Sequence, residues 1–187
     1  MERIIFGDNQ FFGVNHSSDE KARSQTIKFQ EDISIMNVLD IAIEEGINTF
    51  MCTTHDRIGA ICDIVRGNEK YKDFKIYPCM PYAHKYANAV TELGYVGTIK
   101  QFVPGNIFST FAKGGLAFMK KDFNELARLM IDAEMKMFHG IKTPVIWVQN
   151  IITDLLLGLG MTDFLLTFYH HIKDKYQVEP GFITMNL

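Results

Sequence analysis

Apolar residues in this chain alternate between short continuous runs and positions with helical spacing. Val38–Asp56 combines both patterns: an amphipathic helix closed by Gly46, a short apolar strand, and then an abrupt polar cluster. This order is typical of one βα repeat. Five short, mostly apolar runs are predicted as strands: Arg3–Gly7, Ile47–Thr53, Phe74–Cys79, Pro144–Gln149 and Phe182–Asn186.

Most of the segments between these runs have one apolar stripe at helical spacing. The first three predicted helices end at Gly46, Gly67 and Gly94, and the last covers Thr162–Gln177. The middle of the chain does not follow this alternation of strands and helices. It is predicted to contain a short helix at Tyr95–Val103, a loop at Asn106–Gly115 and a helix from Asp122 to Gly140. We therefore expect a single α/β domain over residues 1–187 with a helical insertion at about 95–140.

Strands that alternate with helices pair in parallel, either in a barrel or in an open doubly wound sheet. A dinucleotide-binding sheet usually has a GxGxxG turn after its first strand, and Gly7–Gly13 lacks that spacing. The sequence therefore favours a (β/α) barrel of the TIM type, with the open doubly wound sheet as the alternative.

A passage within residues 38–66 resembles the aldo-keto reductases, which are (β/α)8 barrels. The residues concerned are AIEEGINTF at Ala42–Phe50, then a polar segment and Ile58-Gly59. The resemblance implies a first barrel helix followed by the second strand. Met51 stands where that family has its catalytic Asp, and His55, Asp56 and Arg57 occupy the region of its catalytic Tyr. Reductase activity is therefore not carried over.

Eight βα units typically need about 250 residues, whereas this chain has 187 and five predicted strands. We expect it to be the N-terminal part of a longer barrel. The rival expectation is that two copies complete each other as a dimer. A well-folded monomer would favour a smaller open α/β sheet instead.

Composition indicates a globular protein, with 47% hydrophobic and 22% charged residues. A net charge of −3 without a basic run favours neither nucleic acid nor an anionic membrane as a partner. The three cysteines match no disulfide framework or CxxC pair, and the N-terminus lacks a signal-peptide core. These features favour a cytoplasmic location. Polar residues interrupt Pro144–Tyr169, which is read as strand and helix rather than a membrane span.

Polar residues follow the predicted strands at their carboxyl ends, where parallel α/β proteins bind ligands. We expect them to form a pocket for a small polar molecule. The candidate ligand-binding residues are Asn9, Gln10, His16, His84, Gln149, Asn150 and Asn186. Buried amides that satisfy loop backbone are an equal alternative for Gln149 and Asn150.

The candidate catalytic residues are His55, Asp8 and Asp56. An imidazole is suited to acid–base catalysis near neutral pH, and a carboxylate could orient it. The alternative is that Thr54 and Asp56 cap the following helix while His55 faces solvent. A metal held by His16, His55 and His84 with Asp8 or Asp56 would suit a metal-dependent hydrolase or lyase, but no HxH or HExxH spacing supports it. No metal ligand is assigned.

These features favour an enzyme that acts on a small polar metabolite, with a noncatalytic binding or scaffold protein as the alternative. No cofactor is identified. Cys52 and Cys79 lie inside predicted strands and are expected to be core residues.

Overall fold

The structure is a computed structural model that describes residues 2–15, 17–82 and 120–186. The strands are β1 (Phe6–Gly7), β2 (Thr49–Thr53), β3 (Lys75–Met80), β4 (Val145–Val148) and β5 (Glu179–Phe182). The α-helices are α1 (Asp19–Lys28), α2 (Asp32–Glu44), α3 (Asp56–Gly67), α4 (Lys120–Met135), α5 (Asn150–Gly158) and α6 (Thr162–His171). Short 3-10 helices cover Asn9–Phe12, Glu69–Tyr71 and Lys136–Phe138, and a π-helix covers Ile172–Tyr176.

The chain divides into two compact units. Unit 1 contains Met1–Cys79 and Met137–Pro144, and unit 2 contains Met80–Lys136 and Val145–Leu187. In unit 1, β1, β2 and β3 pair in parallel in chain order, with Phe6 opposite Phe50 and Thr49 opposite Lys75. A parallel bridge joins Lys75 to Lys142. Unit 1 is thus built on a small parallel sheet.

The core of unit 1 contains the sheet residues Phe50 and Ile76 and the apolar stripes of α2 and α3. The two stripes comprise Ile35, Met36, Leu39, Ala42, Ile58, Ile61, Cys62 and Val65, all buried. They repeat every three or four residues, which is the spacing that turns one face of a helix towards a sheet. Phe11 joins this core, with its ring centroid 4.9 Å from that of Phe29 and 6.0 Å from that of Phe50.

In unit 2, β4 and β5 pair in parallel, with Trp147 opposite Gly181. A methyl group on Gly181 would lie 2.3 Å from Cε3 of Trp147, so this strand position has no room for a side chain. Phe168 of α6 is buried and its ring lies edge-on to Phe182 at 5.8 Å. The α6 helix thereby packs against β5.

The first four predicted strands are confirmed, with shifts of one to three residues at some ends, and the fifth is misplaced. It covers Glu179–Phe182 instead of Phe182–Asn186. Pro180 and Gly181 favoured a turn before the strand, but the close approach of Trp147 requires Gly181 within it. Pro180 and Gly181 are therefore strand residues.

The predicted helices over α2, α3 and α4 are confirmed, although α4 begins at Lys120 rather than Asp122. The last predicted helix is confirmed in extent but changes type, because α6 continues as a π-helix from Ile172. The helix α1 was not predicted, and α5 lies within Pro144–Tyr169, which was predicted as strand and helix without separate bounds for this helix. α1 has no buried residue, so it has no apolar stripe in the sequence.

The fold shown is α/β with parallel strands, as expected. The described strands of neither unit close into a barrel, and this fits the alternative of an open parallel sheet. The elements expected within 83–119 lie outside the described residues. The described ranges contain no helix that combines the length and apolar character needed to cross a bilayer.

Candidate functional site

Asp8 follows β1 at the carboxyl edge of unit 1, where the chain turns into a 3-10 helix. The backbone oxygen of Asp8 accepts a hydrogen bond from Phe11 N at 2.9 Å, and Phe11 is buried in the aromatic cluster described above. Gly13 closes the turn at a φ of 67°, a conformation that favours glycine. Packing of Phe11 thus fixes the place of Asp8.

The Asp8 carboxyl group binds the last residue of β2. Its Oδ2 accepts hydrogen bonds from Thr53 N at 2.7 Å and from Thr53 Oγ1 at 2.8 Å. Asp8 is only 6% exposed. Burial raises the pKa of the Asp8 carboxyl above its usual value, and the two Thr53 hydrogen bonds and the nearby His55 oppose this rise only in part. Asp8 therefore holds its proton to a higher pH than an exposed aspartate.

His55 lies just beyond β2 and is the N-cap of α3. Its Nδ1 accepts a hydrogen bond from Arg57 N at 3.2 Å. Its ring stacks on Phe12, with the centroids 4.1 Å apart and the planes 15° from parallel. The expectation that Thr54 and Asp56 cap this helix while His55 faces solvent is therefore wrong, because the His55 ring occupies the capping position and is half-buried.

The start of α3 is held in place by Arg57. Its Nε donates to Asp32 Oδ1 at 2.8 Å and its Nη1 donates to the backbone oxygen of Phe29 at 2.7 Å. These bonds join the start of α3 to Phe29, just after α1, and to Asp32, the first residue of α2. They fix the helix end that carries His55.

Of the other candidates in unit 1, two lie on the 3-10 helix and one begins α3. Asn9 is exposed, and Asp56 is an exposed first residue of α3, where a carboxylate favours the helix dipole. Gln10 Nε2 donates to the backbone oxygen of Gly7 at 2.8 Å, so its amide supports the turn. His16 lies outside the described residues.

Three candidates lie at the carboxyl ends of β4 and β5 in unit 2. Gln149 is the N-cap of α5 and Asn150 is its first residue. The backbone oxygen of Gln149 accepts a hydrogen bond from Thr153 N at 2.9 Å. Asn186 is exposed near Asp154, whose carboxylate accepts from Thr184 Oγ1 at 2.5 Å and Met185 N at 3.0 Å. His84 lies outside the described residues.

Unit 2 also contains a polar cluster that the sequence did not reveal. Asp132 Oδ1 accepts from Tyr176 OH at 2.7 Å and bonds His171 Nε2 at 2.8 Å, while Oδ2 accepts from Lys175 Nζ at 2.7 Å. His171 ends α6, and Lys175 and Tyr176 lie in the π-helix that follows it. The sequence signal was weak, because Asp132 is 39 to 44 positions away from these residues and on another helix.

The three cysteines of the chain are all buried. Burial raises the pKa of the Cys52 thiol well above its usual value, and Cys52 and Cys79 are both buried in strands, as expected for core residues. Within the ranges 2–15, 17–82 and 120–186, no three His, Cys, Asp or Glu side chains are grouped so that they could hold a metal ion.

The arrangement at Asp8 is suited to proton transfer. A buried carboxyl of raised pKa lies at a strand end, beside an oriented imidazole and an aromatic ring. Neither a protein family nor a curated protein nor a solved structure matches this chain.

Proposed function

We propose that this chain is an enzyme that acts on a small polar metabolite at the carboxyl edge of unit 1. Asp8 would be its acid–base group. The observation that carries the proposal is the buried Asp8 carboxyl, which receives both Thr53 hydrogen bonds on one oxygen and has a raised pKa. Titratable groups whose pKa is shifted by burial are common at functional sites.

A purely structural role would not require an acid at position 8. An asparagine has the same shape, and its single carbonyl oxygen could accept both Thr53 hydrogen bonds. Burial of a carboxylate disfavours folding at neutral pH. Burial of a neutral amide whose oxygen accepts hydrogen bonds costs less free energy. A group that lowers stability where a neutral isostere would fit is typical of a functional site.

The expected stability follows from the direction of the pKa shift. The folded-state pKa of Asp8 is raised, so its contribution to stability is fully present below the unfolded pKa and is lost as pH rises through the folded pKa. Ionisation of Asp8 as pH rises through the folded pKa thus lowers the free energy of unfolding. We expect Asp8→Asn to leave that free energy unchanged or to raise it.

Activity should change in the opposite direction. We would incubate the protein with hydroxy acids, keto acids and sugars and detect products by NMR. Loss of acid–base catalysis typically lowers turnover by about 10²–10⁴-fold, so Asp8→Asn should lose turnover while remaining folded. Thr53→Ser, which keeps the hydroxyl bonded to Asp8, is the matched control and should stay active. An active Asp8→Asn variant, or one that is clearly destabilised at pH 7, would contradict the proposal.

The alternative is a noncatalytic binding protein at the same edge. The half-buried His55 ring stacked on Phe12 supports ligand binding independently of proton transfer. In that case a ligand from the same panel would bind the wild-type protein, as seen by saturation-transfer NMR, without any product. Binding would then persist in Asp8→Asn.

A barrel-like arrangement of the βα units and a homo-oligomer are also part of the proposal. The parallel pairing of β1, β2 and β3 supports the barrel-like arrangement. Light scattering would compare the mass in solution with the 21.4 kDa of one chain. A mass of twice that value would support a dimer, and a mass of one chain would contradict it.

A further inference from the structure

The two carboxyl oxygens of Asp8 have different surroundings. Thr53 N and Thr53 Oγ1 both donate to Oδ2, at 2.7 and 2.8 Å. Within residues 2–15, 17–82 and 120–186, no other residue donates a hydrogen bond to this carboxyl group. A carboxylate oxygen offers two lone-pair sites, so both sites of Oδ2 are occupied. A further hydrogen-bond partner of Asp8 therefore meets Oδ1.

The same contacts determine which oxygen carries the proton when Asp8 is neutral. Thr53 N–H can only donate, and at 2.7 Å from Oδ2 it requires a good acceptor. The carbonyl oxygen of a carboxylic acid accepts well, whereas its hydroxyl oxygen accepts poorly. Oδ2 is therefore the carbonyl oxygen, and Oδ1 carries the proton.

The sheet face beside this carboxyl group is open at Gly7. Gly7 lies opposite Met51 on the neighbouring strand, and Met51 and Thr53 share one face of β2 because side chains alternate along a strand. A side chain at position 7 would thus point to the face from which Thr53 Oγ1 reaches Asp8. No described atom lies within 4 Å of a Cβ built on Gly7, so this face has free space there.

Neither the backbone nor the packing requires glycine at position 7. Its φ is not in the left-handed region that favours glycine, and the free space would accept a side chain. Glycine in a strand lowers stability, and it often marks a place where a ligand approaches the backbone closely. The free space at Gly7 is therefore suited to a ligand that reaches Asp8.

We propose that the ligand of this edge lies against β1 over Gly7 and meets Asp8 through Oδ1 alone. This inference rests on the proposed function, because it defines how the substrate approaches the same acid–base group. When the Oδ1–H bond breaks, the proton moves to an acceptor atom of the ligand, such as a carbonyl or hydroxyl oxygen. The charge left on the carboxylate is then stabilised by the two Thr53 hydrogen bonds. Thr53 is thus a positioning residue, and Gly7 limits the size of the group that can approach.

The free space is tested with acetamide, a small neutral probe. Its carbonyl oxygen accepts from a neutral carboxyl group, and its N–H groups donate to an ionised one. Carbon-13 NMR spectra of the Asp8 carboxyl and the Met51 methyl group would be recorded during an acetamide titration, on either side of the Asp8 titration. We expect saturable shifts of both signals in the wild-type protein.

Substitutions of Gly7 separate this space from the rest of the surface. Gly7→Leu should abolish both shifts, and Gly7→Ala, which fills less of the space, should weaken binding by less. Gly67→Leu is the matched control, because a Cβ on Gly67 at the end of α3 also has nothing within 4 Å, and it should bind as the wild type does. Thermal denaturation would verify that each variant is folded. Shifts of wild-type size in Gly7→Leu, or no shift of the Asp8 carboxyl in the wild-type protein, would overturn the proposal.

The assignment of Oδ1 is tested in Asp8→Asn. The carbonyl oxygen of the new amide should accept both Thr53 hydrogen bonds, so its NH2 group takes the place of Oδ1. We expect the NH2 protons to shift on addition of acetamide and to show no short-range nuclear Overhauser contact with Thr53 N–H. An NH2 group turned towards Thr53 N–H would overturn the assignment.

Failure of this inference can be distinguished from failure of the proposed function, because probe binding and amide orientation are measured without turnover. If acetamide leaves Asp8 unaffected while Asp8→Asn loses turnover, the approach over Gly7 is rejected and the proposed function stands. If acetamide meets Oδ1 while Asp8→Asn remains fully active, the proposed function is rejected and the approach over Gly7 stands.

Discussion

At the scale of single residues, position 181 requires a glycine because of its neighbour across the sheet. A Cβ at this position would lie 2.3 Å from Cε3 of Trp147, the only tryptophan of the chain. Contacts below 3.0 Å between such atoms require the ring or the strand to move. Overpacking of this kind costs about 1–3 kcal/mol.

We therefore predict that Gly181→Ala lowers the free energy of unfolding by about 1–3 kcal/mol and changes the tryptophan fluorescence of the folded protein. Urea denaturation followed by fluorescence measures both effects. Gly158 in α5 is the matched control, since nothing lies within 4 Å of a Cβ added there. A Gly181→Ala variant as stable as Gly158→Ala would contradict this packing.

Asp132 gives unit 2 a pH-dependent stability. Burial opposes ionisation of this carboxyl, but hydrogen bonds from Lys175, Tyr176 and His171 outweigh it and hold the pKa of Asp132 below its usual value. A lowered folded pKa contributes stability that is present above the unfolded pKa and is lost as pH falls through the folded pKa.

We predict that Asp132→Asn lowers the free energy of unfolding at pH 7 by about 1.5–3 kcal/mol, the range for hydrogen bonds to a charged group. The difference from wild type should shrink at pH 2. Lys175→Met should cost less than about 1 kcal/mol because its side chain is 52% exposed. Chemical denaturation at both pH values measures these differences. An Asp132→Asn effect of equal size at pH 2 would argue against a lowered pKa of the Asp132 carboxyl.

At the scale of elements, α3 depends on an unusual cap. Ser, Thr, Asp and Asn are the usual N-cap residues, but here the Nδ1 of His55 accepts the hydrogen bond from Arg57 N. We predict that His55→Ala lowers the free energy of unfolding by about 1 kcal/mol, whereas His55→Asn preserves it. Thermal denaturation of the two variants makes the comparison. Equal losses in both would show that the ring packs rather than caps.

The predictability of the elements depended on their periodicity. The helices α2 and α3 were predicted because their buried positions repeat every three or four residues and each pattern ends near a glycine. The helix α1 has no buried residue, so no periodic stripe marks it. β5 was displaced because Pro180 and Gly181 favour turns locally, and only the Trp147 ring on another strand explains the glycine.

At the scale of the whole molecule, the α/β class with parallel strands followed from the alternation of patterns. The position of Asp8 and His55 at strand ends followed from it too. The hydrogen bonds of Asp8 with Thr53 could not be predicted, because the two residues are 45 positions apart in the chain. The Asp132 cluster likewise joins Asp132 of α4 to His171 and Tyr176, which are 39 and 44 positions further along the chain. Pairing over such distances leaves no local pattern.

The central claim is that Asp8 is a buried acid–base group, and a carbon-13 NMR titration of its carboxyl tests it most directly. We predict a pKa above the usual aspartate value in the wild-type protein, the same in Thr53→Ser, and a still higher value in Thr53→Val, since the Thr53 hydroxyl bond opposes the rise. An Asp8 carboxyl that titrates at or below the usual aspartate value would contradict the account.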